Sequence, residues 1–112
     1  MSQKVKVLFT EFVTHDVKHF IVEKPANYTF QPGQATDIGI VKPGFEDKTS
    51  PFTFTSLPND LILEFTIKCY PDHNRVTKEL HSLNPGDEIL LIDNPFGTIN
   101  SSIMYSYPFL NR

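Results

Sequence analysis

Hydrophobic and polar residues alternate with a period of two along most of the chain, the spacing that turns successive side chains to opposite faces of a strand. The clearest case is "LILEFTIKCY", where Leu61, Leu63, Phe65, Ile67 and Cys69 share one parity and Glu64, Thr66, Lys68 and Tyr70 the other. That register predicts that Leu61, Leu63, Phe65 and Ile67 point into one core, joined by Ile89 and Leu91 from a last strand over Glu88 to Asp93. "KVKVLFTEFV" and "VKHFIVEK", broken by "THD", read as a first antiparallel pair. Further strands are expected from about Gln34 to Val41 and over "PFTFTSL", where Phe52 and Phe54 alternate with Thr53 and Thr55. Pro32-Gly33, Pro43-Gly44 and Pro85-Gly86 mark turns. The period changes once, in "NRVTKELHSL": Val76, Leu80 and Leu83 recur at helical spacing, with Asn74 placed to cap a short helix. Six or so strands, one short helix and no βαβ repetition predict a mainly all-β domain, an antiparallel barrel or sandwich rather than a Rossmann sheet.

The chain has 112 residues, one domain in length, and at that size about two-thirds of the unfolded surface is buried without help from disulfides or metal. Its 39% apolar and 21% charged residues fit a globular protein. A formal charge of −3 with no Lys/Arg cluster argues against a nucleic-acid or anionic-membrane footprint. No run approaches the ~20 apolar residues that span a bilayer, and the opening "MSQKVKVLFTEF" has no apolar leader-like core, so a cytoplasmic protein is expected. The single Cys69 forms no internal disulfide and no cysteine-rich zinc site, and its inward parity reads as a structural thiol.

Of His15, His19, His73 and His81, only His15 and His19 are spaced i, i+4, and they fall in strand and turn where that spacing makes no shared ligand face; ordinary surface histidines are expected. There is no glycine-rich phosphate loop. The one candidate for an anion is the start of the helix, where the amides of Arg75, Val76 and Thr77, the Thr77 hydroxyl and the Arg75 guanidinium come together in sequence.

The succession "FQPGQ", "PFTFTS", "EFTIKCYPDHNRVTKEL" and "LNPGDEILLIDNPFGTI" resembles the flavin-binding barrel of the ferredoxin reductase family, which includes flavodoxin reductases and related NAD(P)H-dependent flavoproteins. The resemblance covers residues 3 to 99 and is most specific at two places. The family's R-x-[YF]-[ST] strand aligns with Ser50, Phe52 and Thr53, and its G-x-[ST] helix turn aligns with Arg75, Val76 and Thr77. It implies that Phe52 packs on the flavin and Thr53 reaches its polar edge. Thr77 and the amides of Val76 and Thr77 would then face phosphate, with Lys68 and Cys69 on a strand that lines the cofactor. FAD is the implied cofactor, with FMN as an alternative because Thr55 extends the hydroxyl series.

Three departures accompany the resemblance. Ser50 stands where the family has its phosphate-binding arginine, and Arg75 where it has a small glycine. The two changes read either as an arginine moved across the pyrophosphate or as a barrel that has ceased to bind flavin. After "FGTI" the chain runs "NSSIMYSYPFLNR", in which Ile103, Tyr105, Tyr107 and Phe109 alternate, in place of a nicotinamide-binding domain. The implied organisation is an all-β, six-stranded antiparallel Greek-key barrel with one short helix that binds flavin over residues 1–99, and a tail over 100–112. The implied function is the FAD-binding domain of an NAD(P)H-linked flavoprotein oxidoreductase, inactive toward nicotinamide by itself and completed by a separate nicotinamide-binding domain or electron-transfer partner. The alternative is a truncated or degenerate barrel acting as a non-catalytic interaction module.

Overall fold

The computed structural model describes residues 2–45, 48–68, 75–92 and 95–97. Its elements are β1 (Ser2–Thr14), β2 (Val17–Glu23), β3 (Ala35–Ile40), β4 (Thr49–Thr53), β5 (Ile62–Lys68), α1 (Arg75–Leu80) and β6 (Glu88–Ile92). The strands form one antiparallel six-stranded sheet in the order β4-β3-β6-β1-β2-β5. The long β1 joins its two halves. Ser2 to Lys6 pair with β6, and Val7 to Thr14 pair with β2, with a register irregularity between Val7 and Phe9 where the strand changes partner. The curled sheet brings its edge strands β4 and β5 near each other without closing on a ladder. The expected barrel is therefore open between them.

Three of the turns have one construction. In Gln31-Pro32-Gly33-Gln34, Lys42-Pro43-Gly44-Phe45 and Asn84-Pro85-Gly86-Asp87 the fourth amide donates to the first carbonyl, at 3.0–3.1 Å. Each glycine has φ between 89° and 98°, so these are type II turns, with proline fixing the second position and glycine tolerating the third.

Inward parities fill a single core: Val5 and Val7 of β1, Phe20 and Val22 of β2, Ile38 and Ile40 of β3, Leu63, Phe65 and Ile67 of β5, and Ile89 and Leu91 of β6. Val76 and Leu80 of α1, followed by Leu83, close one end of it. Phe54, just past β4, stacks on Phe30 at 4.0 Å between centroids and leans on Phe65 at 5.2 Å. Leu61 departs from expectation: it is 91% exposed, because β5 starts at Ile62 and Leu61 still belongs to the turn that Asp60 closes by donating its amide to the Leu57 carbonyl. Alternation carries a side chain inward only inside a strand.

The end of α1 is held from β2. Lys18 shares the inward parity of Phe20 and Val22 and is only 3% exposed. Its ammonium donates to the carbonyls of His81 at 2.9 Å and Leu83 at 2.6 Å, and lies over the rings of Phe12 and Phe20. It thus satisfies carbonyls that a helix terminus leaves without partners. Burial holds its pKa below the ordinary lysine value, partly offset by the charge of Asp87. His81 donates from Nε2 to the Ile67 carbonyl at 2.9 Å, since a carbonyl only accepts, and its ring meets Phe12 edge-on.

Candidate functional site

The opening between β4 and β5 is where the sheet leaves two strand edges without a ladder between them, and backbone direction defines what lines it. Successive residues of a strand turn their N–H and C=O to opposite sides. Phe54 donates its amide to Gln34, on the β3 side, and Thr55 donates its amide to the Glu64 carbonyl at 2.9 Å, on the β5 side. Pro51 and Thr53 therefore turn their backbone polar atoms toward β5, while Thr66 and Lys68, in phase with Glu64, turn theirs toward β4. Pro51 has no N–H to lose on that edge, which is where a proline is tolerated in a sheet. Beyond the Thr55–Glu64 bond no ladder joins the two strands among the described residues. The two lips of the gap thus carry the amide and carbonyl of Thr53 and of Thr66, and both threonines are exposed.

Side chains grade from apolar to polar across this gap. On β4, Ser50 is 6% exposed, Phe52 is half-buried and packed against the core, and Phe54 is buried, all on the inward parity; Thr49, Pro51 and Thr53 face out. Phe52 thus offers part of its ring at the edge while Thr53 offers a hydroxyl. Ser50 faces inward, so its short side chain lies in the wall of the domain.

The sequence-predicted residues fall into three places. Ser50, Phe52 and Thr53 lie on β4; Arg75, Val76 and Thr77 open α1, which packs against β3 and β4; Lys68 ends β5 on the opposite lip, exposed and paired in register with Val17. Val76 and Thr77 are 3% and 5% exposed, so α1 presents them to the interior. Cys69, His73 and Asn74 lie outside the described residues, as does the tail from 98 onward, including Ile103, Tyr105, Tyr107 and Phe109.

A polar cluster that the sequence did not announce borders the gap on its outer face. His19 Nε2 is 3.0 Å from Glu64 Oε2, and His19 Nδ1 is 3.2 Å from Thr66 Oγ1. The Thr55 hydroxyl donates to Glu64 Oε1 at 3.2 Å, and the Glu64 amide donates to Ser56 Oγ at 3.0 Å. His19 and His81 are thus engaged by neighbours, where surface histidines were expected; only the pairing of β2 with β5, 45 residues apart in the chain, brings His19 to Glu64. Among the described residues no three His, Cys, Asp or Glu side chains are grouped to hold a metal, and no helix is long and apolar enough to cross a membrane.

No protein-family model and no curated protein sequence matches the chain. Solved structures do. A ferredoxin NADP+ reductase from Neisseria gonorrhoeae with bound FAD and NADP superposes with a TM-score of 0.81 at 22% identity, over 90% of this chain and 40% of that one. The CS-b5R domains of human Ncb5or in the NAD+ form give 0.73 at 27% identity, over 91% and 32%. A ferredoxin-NADP+ reductase from Plasmodium falciparum with 2'P-AMP gives 0.71 at 17% identity, over 93% and 42%. The chain spans well under half the length of each. It matches one part of these reductases nearly end to end, and in fold it is a ferredoxin reductase-like domain.

Proposed function

We propose that this chain binds a flavin, FAD first and FMN as the alternative, in the gap between β4 and β5, as the flavin domain of an NAD(P)H-linked oxidoreductase. The observation that carries the reading is the unpaired pair of lips. A flat ring system with alternating donors and acceptors along one edge is complementary to the backbone N–H and C=O groups of Thr53 and Thr66. The half-buried ring of Phe52 gives an apolar face beside them, and the exposed Thr53 hydroxyl a further donor. These residues fit the group. Similarity in fold to a reductase with bound FAD supports the same assignment. When bound, flavin supplies the redox chemistry; the protein's own residues hold the ring, shield one side and set its hydrogen bonds.

Lys68 ends β5, and the resemblance adds Cys69, next to it in sequence, as a cofactor contact; the backbone amides of Val76 and Thr77 at the head of α1, whose side chains face the interior, and Arg75 are the groups left to meet phosphate, with Arg75 taking the part of the arginine that Ser50 replaces. The buried, inward Ser50 is also the observation that favours the second reading, a barrel that serves as an interaction module without cofactor. Residues 1–99 form the flavin unit in this reading. A nicotinamide-binding domain, in the same protein or in a partner, completes the enzyme.

Titration of the purified chain with FAD, FMN and riboflavin, followed by flavin fluorescence, tests the proposal. Saturable binding with a stoichiometry of one, and a yellow protein after gel filtration, are expected. Absence of binding for all three would leave the interaction-module reading.

A further inference from the structure

Glu64 occupies the point at which β4 and β5 part, and four contacts meet on it. Its carbonyl accepts the Thr55 amide at 2.9 Å, its amide donates to Ser56 Oγ at 3.0 Å, its Oε1 accepts the Thr55 hydroxyl at 3.2 Å and its Oε2 lies 3.0 Å from His19 Nε2. Two consecutive residues just past β4, Thr55 and Ser56, are thereby fixed to a single residue of β5. The other ring nitrogen of His19 returns to Thr66 Oγ1, on the lip itself. Because Thr66 pairs with His19 across β2 and β5, the loop of contacts Thr55–Glu64–His19–Thr66 runs round the closed end of the gap and comes back to its wall.

We infer that Glu64 is the positioning residue of this gap, which sets where the two strands separate and, through His19, ties the Thr66 side chain back to β2 so that the backbone of the β5 lip is held in place for a ligand. The inference rests on the reading of the gap as a flavin site. The Glu64–His19 contact is one-fifth exposed on each side, and a partly solvated contact of this kind contributes little to stability. Its value lies in geometry. Without the carboxylate the Thr55 side chain and His19 lose their shared acceptor, and the junction of the two strands rests on the Thr55 amide–Glu64 carbonyl and Glu64 amide–Ser56 Oγ bonds alone. Hydrogen bonds joined in a chain also strengthen one another, so that removing one member weakens the rest. With the phosphates placed at the head of α1 in that reading, the closed end is left to the flavin's ring, so the effect falls on the ring and is blind to the phosphates.

Two variants and two ligands decide the matter. In Glu64→Ala, the dissociation constants of riboflavin and FAD are expected to rise together by about tenfold or more, with a shift of the bound flavin's absorption bands. Glu64→Gln keeps an acceptor for Thr55 and a polar partner for His19, and should restore both constants to within about twofold of wild type. A loss confined to FAD, a change below twofold in Glu64→Ala, or an equal loss in Glu64→Gln would overturn the inference. Amide exchange of the ligand-free proteins gives an independent readout: the Thr55 amide should exchange about tenfold faster in Glu64→Ala and recover in Glu64→Gln. Unchanged exchange at Thr55 overturns the positioning role whatever flavin does. Wild type that binds no flavin, with exchange responding as expected, overturns the flavin reading and leaves Glu64 in control of the gap. Circular dichroism and thermal melting confirm that both variants are folded, as an outer-face side chain leads one to expect.

Discussion

The two edges of β5 are the instructive contrast in this molecule. On one side all seven of its residues pair with β2, from Ile62 opposite Glu23 to Lys68 opposite Val17. On the other side β5 meets β4 through the Thr55–Glu64 backbone bond and the side chains around it. Both edges belong to the same short strand, with the same alternation of Leu63, Phe65 and Ile67 into the core. What differs is the partner's capacity to pair. β2 is a full-length strand with an amide at every position, whereas β4 carries Pro51, whose backbone has no donor to offer β5. One edge of the strand is therefore fully paired into the fold and the other is left open.

The largest test of that contrast is Phe65→Ala against Thr66→Ala, adjacent residues on opposite faces of β5. Phe65 is 1% exposed and packs on Phe54, so its truncation should cost about 3–5 kcal/mol in urea unfolding through lost transfer energy and a residual cavity. Thr66→Ala, and Thr53→Ala across the gap, should stay within ~0.5 kcal/mol. If the threonines cost as much as the phenylalanine, the lips are part of the core and no ligand gap exists.

Next in size is Lys18, which binds the terminus of α1 to the well-paired side of the molecule. Removing an ammonium that serves two carbonyls should cost about 3 kcal/mol in Lys18→Ala, less whatever is gained by no longer burying the charge. Lys18→Met keeps the aliphatic packing on Phe12 and Phe20 and should recover part of it. The pH dependence has a definite sign. With the folded-state pKa lowered, the unfolded chain binds the proton more tightly between that value and the ordinary 10.5, so wild type gains stability relative to Lys18→Met as pH rises through that window and not below it. Urea midpoints of the pair at pH 8 and pH 10 check it; a shift favouring Lys18→Met at the higher pH would contradict the burial of a charged ammonium.

The parts of this arrangement that were legible in the sequence are those set by neighbours in the chain. Parity placed Leu63, Phe65, Ile67, Ile89 and Leu91 in the core, and three Pro-Gly pairs marked three turns of one type. Leu61 was misplaced because its parity runs on across a strand boundary that the turn at Asp60 sets. Lys18 shares parity with Phe20 and Val22, a local sign of burial, but its partners His81 and Leu83 are over 60 residues away. The open seam was the least legible feature. It depends on which strands end up beside each other, and the one local hint was Pro51 in a strand otherwise rich in β-formers. The Glu64–His19 cluster is hidden for the same reason, since register between β2 and β5 is a long-range property.

A smaller effect, confined to one class of ligand, is expected at Arg75, which opens α1. If its guanidinium replaces the arginine that Ser50 lacks, Arg75→Ala should weaken FAD by about 1.5–3 kcal/mol and leave riboflavin unchanged, since only the phosphates are contacted. Fluorescence titration of both flavins gives the two constants. Set beside Glu64→Ala, which should weaken both ligands alike, the pair of variants maps which end of the cofactor each part of the site holds. Equal losses in Arg75→Ala would place Arg75 in the fold and remove it from the site.

The smallest expected effect is a rate close to nothing. Hydride transfer from NADH or NADPH to a bound flavin requires the nicotinamide ring to be held in near-attack geometry, and orientation of that kind accounts for ~7–11 kcal/mol of a barrier. The described residues pair only antiparallel, and none forms the βαβ unit with a glycine-rich turn that a dinucleotide fold uses to provide such orientation. In the proposed reading the gap between β4 and β5 holds one flat ring against Phe52 and the lips, and the second ring has to be brought to it by a nicotinamide-binding domain. This 112-residue chain, loaded with flavin, should therefore stay oxidised when mixed anaerobically with excess NADH in a stopped-flow instrument, and bleach only on addition of a chemical reductant such as dithionite. Bleaching by NADH at enzyme-like rates, on the order of 1 to 1,000 per second, would mean that the open edge recruits nicotinamide directly. The contrast between the two edges of β5 would then have to be redrawn, with the unpaired edge forming a complete active site by itself.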